Sequence, residues 1–78
     1  MTQGDDRILE TLESSGIVLS PAVLAYNTDY TRNYVNKRLR KLRNKGLIER
    51  VDSGYYQITD RGQAYLGGEI EADKLETE

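Results

Sequence analysis

Residues 20–46 read SPAVLAYNTDYTRNYVNKRLRKLRNKG, and their pattern predicts two helices joined by a short turn. Ser20 followed by Pro21 is a typical helix start, because serine can cap the first turn and proline fits the first helical position. We place this helix at about residues 21–26, since the Asn-Thr-Asp sequence that follows it favours a turn.

The helix after the turn is longer and has one apolar side. Thr31 can cap its start, and we predict it over about residues 31–45. Val35, Leu39 and Leu42 recur at i, i+4 and i+7, which places them on one stripe of a helix. A short helix, a tight turn and a longer helix together predict a helix-turn-helix unit.

The segment before this unit predicts another helix and a short strand. Asp5 and Asp6 put negative charge at the start of a run with apolar residues at helical spacing, and Gly16 is a natural stop. We predict this first helix over about residues 5–15. Residues 17–19, Ile-Val-Leu, favour a short edge strand that docks onto a hairpin elsewhere.

The segment after the unit predicts a hairpin and a final helix. Residues 47–51 and 55–59 are rich in β-forming residues, and the Asp-Ser-Gly between them suits a tight loop. Thr59 can cap a fourth helix that runs to about Leu66. The order of helix, short strand, helix, helix, two-stranded wing and helix predicts an α+β fold of the winged helix-turn-helix type.

The length of 78 residues allows one small core, so a partner subunit could add burial and a homodimer is expected. We predict a DNA-binding domain over residues 1–68 and an acidic tail over residues 69–78. The tail holds few apolar residues, and it is interpreted either as a short helix or as a disordered segment.

The composition argues against several classes of function. The chain has no cysteine and no histidine, so disulfide, thiol, imidazole and most zinc chemistry is not expected, and neither is a cofactor. Paired carboxylates such as Asp5 with Asp6 are interpreted as helix caps, so no enzyme activity is predicted. There is no long apolar run and no basic leader, which favours a cytoplasmic protein without membrane contact.

Positive charge is concentrated in one segment. Residues 31–50 carry eight Lys or Arg and one Glu, a net charge of +7. Residues 1–30 carry one basic and five acidic residues, and residues 51–78 carry two basic and seven acidic residues. This separation of sign favours a negatively charged ligand that contacts the third helix.

The side of the third helix opposite its apolar stripe carries only Asn, Lys and Arg. Such a surface suits the DNA major groove, because Arg and Lys donate to guanine and to phosphates while Asn can pair with adenine. The N-terminal half of such a helix enters the groove deepest, which assigns base reading to Arg32, Asn33, Asn36 and Lys37. Phosphate contacts are assigned to Tyr30, Tyr34, Arg38, Arg40, Lys41 and Arg43. The alternative is a solvated helix face, but such faces usually mix charges of both signs.

The wing is a weaker candidate for DNA contact. Its tip, Asp52-Ser53-Gly54, carries a negative charge and no Lys or Arg, which disfavours insertion into the minor groove. Arg50 and Tyr55 are its most plausible contacts, although Tyr55 could equally pack across the hairpin.

The six tyrosines could suggest a stacking surface for single-stranded nucleic acid. We instead expect Tyr26, Tyr56 and Tyr65 in the core. That leaves only Tyr30, Tyr34 and Tyr55 near a ligand.

Four stretches resemble a known family: LSPAVLAYN (19–27), YTRNYV (30–35), LRKL with KGLIERV (39–42, 45–51) and GYYQITDRG (54–62). In this order they resemble archaeal winged-helix regulators of the MarR-like type, in particular the haloarchaeal phage-repressor-like proteins. The resemblance implies a dimeric DNA-binding repressor whose first helix and C-terminal segment form the dimer surface. The short wing with its acidic tip departs from better-known relatives.

Two other functions remain open at this point. A winged helix can serve as a protein-interaction module without touching DNA, although such a module has no need of a uniformly basic helix. Structured RNA would be bound by the same electrostatics as double-stranded DNA, so the sequence does not separate the two ligands.

Overall fold

Each helix that the structure describes begins directly after a Ser or Thr residue whose side chain caps it. In the computed structural model, which describes residues 2–68, the helices are α1 (Gln3–Ser15), α2 (Pro21–Thr28), α3 (Arg32–Asn44) and α4 (Asp60–Leu66). The cap oxygens accept from the backbone N–H three residues ahead, at 3.1–3.3 Å, and belong to Thr2, Ser20, Thr31 and Thr59. Because these contacts satisfy N–H groups that have no partner within the helix, they fix where each helix starts.

Two helices are longer than the sequence predicts. Helix α1 starts at Gln3 because Thr2 and Asp5 form a capping box, in which each side chain accepts from the other residue's backbone N–H. Helix α2 continues to Thr28, and the side chains of Asn27 and Thr28 donate to carbonyls one turn back. These turn-forming residues therefore bond to the helix backbone and not within a turn.

The wing is a two-stranded antiparallel sheet of β1 (Ile48–Val51) and β2 (Tyr55–Ile58). The predicted short strand at residues 17–19 is reduced to one bridge, in which Leu19 and Tyr56 exchange two backbone hydrogen bonds of 2.9 Å. Ile17 is 63% exposed, so only the last residue of that stretch joins the core.

The core lies where α1, α2 and α3 meet the base of the wing. Its buried members are Ile8, Leu9, Leu12, Leu19, Leu24, Val35, Leu39, Leu42, Leu47 and Ile48. The apolar stripe predicted for the third helix is therefore buried in full. Tyr56 and Tyr65 pack against this core as predicted.

The prediction of a core position for Tyr26 is wrong, because its side chain is 85% exposed. Helix α2 buries Leu24 and Thr28, which lie one turn apart on the same face. Tyr26 lies two residues from each of them and so points to the opposite side of the helix.

Helix α4 packs on the base of the wing at Gly62. A Cβ atom at this position would lie 2.2 Å from the Leu47 carbonyl oxygen and 2.6 Å from Ile58 Cγ1, so only glycine fits without a shift. Within residues 2–68, no helix has both the length and the apolar composition needed to cross a bilayer.

Candidate nucleic-acid interface

Helix α3 has a buried apolar side and an exposed polar side. Val35, Leu39 and Leu42 are buried, and the helix contains no Asp or Glu. The exposed side, which we term the basic face, consists of Arg32, Asn33, Asn36, Lys37, Arg40 and Arg43. It includes all four residues predicted to read bases, and two of those predicted to contact phosphates. The structure thus brings these six side chains together on one accessible surface.

The turn between α2 and α3 determines where the basic face begins. Asp29 ends α2 in the left-handed region, with φ 63°, and Thr31 then caps α3 by accepting from the Tyr34 backbone N–H. A non-glycine residue with positive φ is uncommon, and aspartate tolerates it better than most residues. This tight reversal leaves Arg32 and Asn33 exposed at the very start of the helix.

The prediction that Arg38 contacts phosphate does not agree with the structure. Its guanidinium donates through Nε and Nη2 to the two carboxylate oxygens of Asp5, both at 2.7 Å, and the residue is only 8% exposed. Charged residues are rarely buried unless they are paired, and here the pair is bidentate. Arg38 is therefore directed towards α1 and not towards the basic face.

The remaining predicted phosphate contacts lie at the border of the basic face. Lys41 is half-buried. Tyr30 packs against the core, and its ring centroid lies 4.9 Å from that of Tyr34. The Tyr34 hydroxyl lies 3.3 Å from Thr2 Oγ1, so this side chain also faces α1. A phosphate contact by any of these three residues stays a prediction.

The wing presents less positive charge than α3. The Arg50 Nη2 donates to the Ser53 carbonyl at 2.7 Å, which holds this cation against the backbone of its own loop. Asp52 is exposed and has φ 55°, Gly54 is half-buried, and Tyr55 is 47% exposed. Arg50, Ser53 and Tyr55 are all exposed, but the Arg50 guanidinium is already engaged with its own loop.

The first turn of α1 contacts both α3 and α4. Next to Asp5, which pairs with Arg38, Asp6 accepts a hydrogen bond of 2.9 Å from the Tyr65 hydroxyl. Burial, followed by this hydrogen bond and the nearby negative charges, raises the pKa of Tyr65 to about 12. Neither contact was predicted from the sequence, because the partners lie far apart along the chain.

Comparison with known proteins places this geometry in a family. The family model described as winged helix-turn-helix phage repressor matches residues 1–78. A curated relative, the repressor protein of Halobacterium phage phiH, is 38% identical over 97% of this chain and 90% of its own length.

Solved structures with the same fold include MarR regulators. One MarR family transcription regulator superposes with a TM-score of 0.76 at 30% identity, covering 86% of this chain and 48% of that one. A zinc-responsive MarR family member, ZitR of Lactococcus lactis, superposes with a TM-score of 0.72 at 22% identity over 86% and 49%, which is a likeness of fold alone. The chain thus spans about half the length of these two regulators.

Proposed function

The chain belongs to the winged helix-turn-helix phage repressor family, and on this premise we propose that it represses transcription by placing α3 in the major groove of double-stranded DNA. The observation that carries the proposal is the basic face, an exposed surface without a carboxylate on a helix whose other side is buried. The major groove admits an α-helix, and phosphates on both sides of it attract cations.

The residues of the basic face divide into two groups along α3. Arg32, Asn33, Asn36 and Lys37 occupy its first half and read base edges. Arg40 and Arg43 occupy its second half and contact phosphates, which supply affinity without sequence information. Lys41 extends this second group at the border of the face.

We assign DNA binding to residues 1–68 and propose that the chain acts as a homodimer in the cytoplasm, as a regulator and not as an enzyme. The proposed dimer surface includes α1 and the C-terminal segment, of which residues 69–78 lie outside the described residues. Two-fold symmetry then predicts a palindromic operator with half-sites about 34–36 Å apart, one turn of the DNA. Sedimentation equilibrium tests the dimer, and a monomer at all concentrations would contradict it.

A selection experiment tests the proposed function. The full chain is incubated with a pool of random duplex DNA at increasing salt concentrations, and the bound fraction is sequenced. We expect enrichment of a palindromic motif and an affinity that falls steeply with salt. No retention of DNA even at low salt would reject the proposal in favour of a protein-interaction module. Tighter binding to structured RNA than to the selected duplex would reassign the ligand.

A further inference from the structure

We propose that the first turn of α1 positions the recognition helix α3, with Asp5 and Arg38 as positioning residues that DNA does not touch. This inference rests on the proposed function and adds residues to it. Sequence discrimination then depends on a buried contact on the side of α3 away from the basic face.

The pair joins the two helices through a directional contact. Both Asp5 oxygens accept from the Arg38 guanidinium at 2.7 Å, Asp5 is fully buried and Arg38 is 8% exposed. A bidentate pair of this kind fixes the angle between the guanidinium and carboxylate planes as well as the distance between the two groups. Asp5 is itself held by the capping box with Thr2, so its carboxylate has a defined orientation.

A second contact lies one turn earlier on α3. The Tyr34 ring lies directly against the backbone of α1 at Gly4, where a Cβ atom would be 2.3 Å from the Tyr34 hydroxyl oxygen. Gly4 is buried, and the Tyr34 hydroxyl reaches Thr2 Oγ1 at 3.3 Å. Residues 34 and 38 are neighbours on one side of the helix, so the two contacts together oppose rotation of α3 about its axis.

Small rotations of α3 matter for base reading. Side chains extend about 5–6 Å from a helix axis, so a rotation of about 10° moves their ends by on the order of 1 Å. Hydrogen bonds weaken outside a narrow range of distance and angle, and bidentate base contacts need two of them at once. Phosphate contacts through long, flexible side chains tolerate the same rotation. Loss of the Asp5–Arg38 pair should therefore lower specific binding more than non-specific binding.

The test compares Arg38→Met with the same change at an exposed position, Arg40→Met. Each variant of the full chain is titrated with the selected duplex and with a scrambled duplex at several salt concentrations. For Arg38→Met we expect the affinity for the selected duplex to fall by roughly tenfold, comparable to loss of one base-reading side chain. We expect its affinity for the scrambled duplex to change by less than about twofold and its salt slope to stay that of the wild type, because a paired, buried cation releases no counterion.

For Arg40→Met we expect weaker binding to both duplexes. The slope of log K against log salt concentration should also decrease in magnitude by about 0.9. Arg38→Lys, which keeps the charge and can still bond to Asp5, should recover part of the discrimination. If Arg38→Met lowered both affinities and the slope as Arg40→Met does, Arg38 would be a phosphate contact and the proposal would be wrong.

Removing one member of a buried pair is strongly destabilising, so folding is measured by circular dichroism before each titration. Two further variants keep the test decisive if Arg38→Met does not fold. Asp5→Asn combined with Arg38→Met removes both charges of the buried pair. Gly4→Ala displaces the Tyr34 ring and changes neither Asp5 nor Arg38. Val23→Ala, a change at an exposed position of α2 outside the proposed dimer surface, is the control and should leave both affinities as in the wild type.

Each outcome for this second set of variants supports or overturns the positioning role of Asp5 and Arg38. Folded variants that lose discrimination support the positioning role. Folded variants that bind both duplexes as the wild type does would overturn it and leave the pair with a role in stability alone. Failure of the wild type to retain either duplex would reject the proposed function itself, and is seen before any variant is compared.

Discussion

The recognition helix and the wing differ in how they present their cations. On α3, Arg32, Lys37 and Arg40 are exposed along one acid-free face. On the wing, Arg50 bonds to the carbonyl of its own loop, and the charged residue at the exposed tip is Asp52. Both elements belong to the fold that this family uses, yet only one of them offers an uninterrupted positive surface. Affinity for DNA should therefore come mainly from α3, with the wing acting as support for the core.

The residues proposed to read bases should give the largest effect. Arg32→Ala or Lys37→Ala should each cost about 1–3 kcal/mol of binding free energy on the selected duplex and reduce discrimination against other sequences. Titrations with the selected duplex and single-base variants of it measure both quantities. Arg7→Ala is the matched control, since it removes an exposed cation from α1, and sedimentation equilibrium first checks that it leaves the proposed dimer intact. An equal loss for Arg7→Ala would mean that net charge, and not the basic face, controls binding.

Phosphate contacts on the same helix should give a smaller and less selective effect. Arg40→Ala should weaken binding to all sequences alike and lower the slope of log K against log salt by about 0.9, as expected for one phosphate contact. The measurement is a salt titration on two unrelated duplexes. A loss confined to one sequence would assign Arg40 to base reading.

The wing should give a smaller effect still. Arg50→Ala removes the same charge as Arg40→Ala, but we expect it to change binding free energy by less than about 0.5 kcal/mol, the usual range for surface changes without a specific role. The same salt titration measures it. A reduction in slope equal to that of Arg40→Ala would contradict the comparison and show that the wing reaches a phosphate.

The smallest effect on DNA binding is expected for a change at the contact between α1 and α4, which affects stability instead. Tyr65→Phe removes the hydrogen bond to Asp6 and should lower the free energy of unfolding at neutral pH by about 0.5–1.5 kcal/mol. The folded-state pKa of about 12 lies above the ordinary value of 10.0, so the neutral phenol favours the folded state below pH 10. This contribution is lost as pH rises from 10 towards 12.

Urea unfolding of the wild type and Tyr65→Phe at pH 8, 10 and 11 tests this dependence. The difference between the two proteins should shrink as pH rises. A constant difference over this range would mean that Tyr65 ionises alike in the folded and unfolded chains.

The fold could be predicted from the sequence because its signals are local. Ser20 with Pro21, Thr31 and Thr59 mark helix starts, and the apolar stripe of α3 marks its buried side. The end of α2 was placed too early, since Asn27 and Thr28 favour turns in general but here bond to the helix backbone. Local preferences do not decide between these two uses of a polar side chain.

The candidate site could be predicted only in part. The exposed residues of α3 follow from helical periodicity, whereas the burial of Arg38 depends on Asp5, 33 residues away. One signal was present, because Arg38 lies about 60° around the helix from Val35, on the flank of the buried stripe. Tyr26 was misplaced because it was assigned from its position in the expected architecture, which does not fix the side of α2 that faces the core.

The hydroxyl caps also bear on the order of events during folding. Each cap joins residues three apart, so all four helix starts can form without any distant contact, whereas the Asp5–Arg38 pair must close a loop of 33 residues. Local contacts form fast and distant ones slowly, because of the entropy of loop closure. Thr31→Ala should therefore slow refolding, while Arg38→Met should mainly accelerate unfolding. Stopped-flow kinetics would distinguish these effects, and an acceleration of unfolding alone by Thr31→Ala would place capping of α3 after the folding barrier.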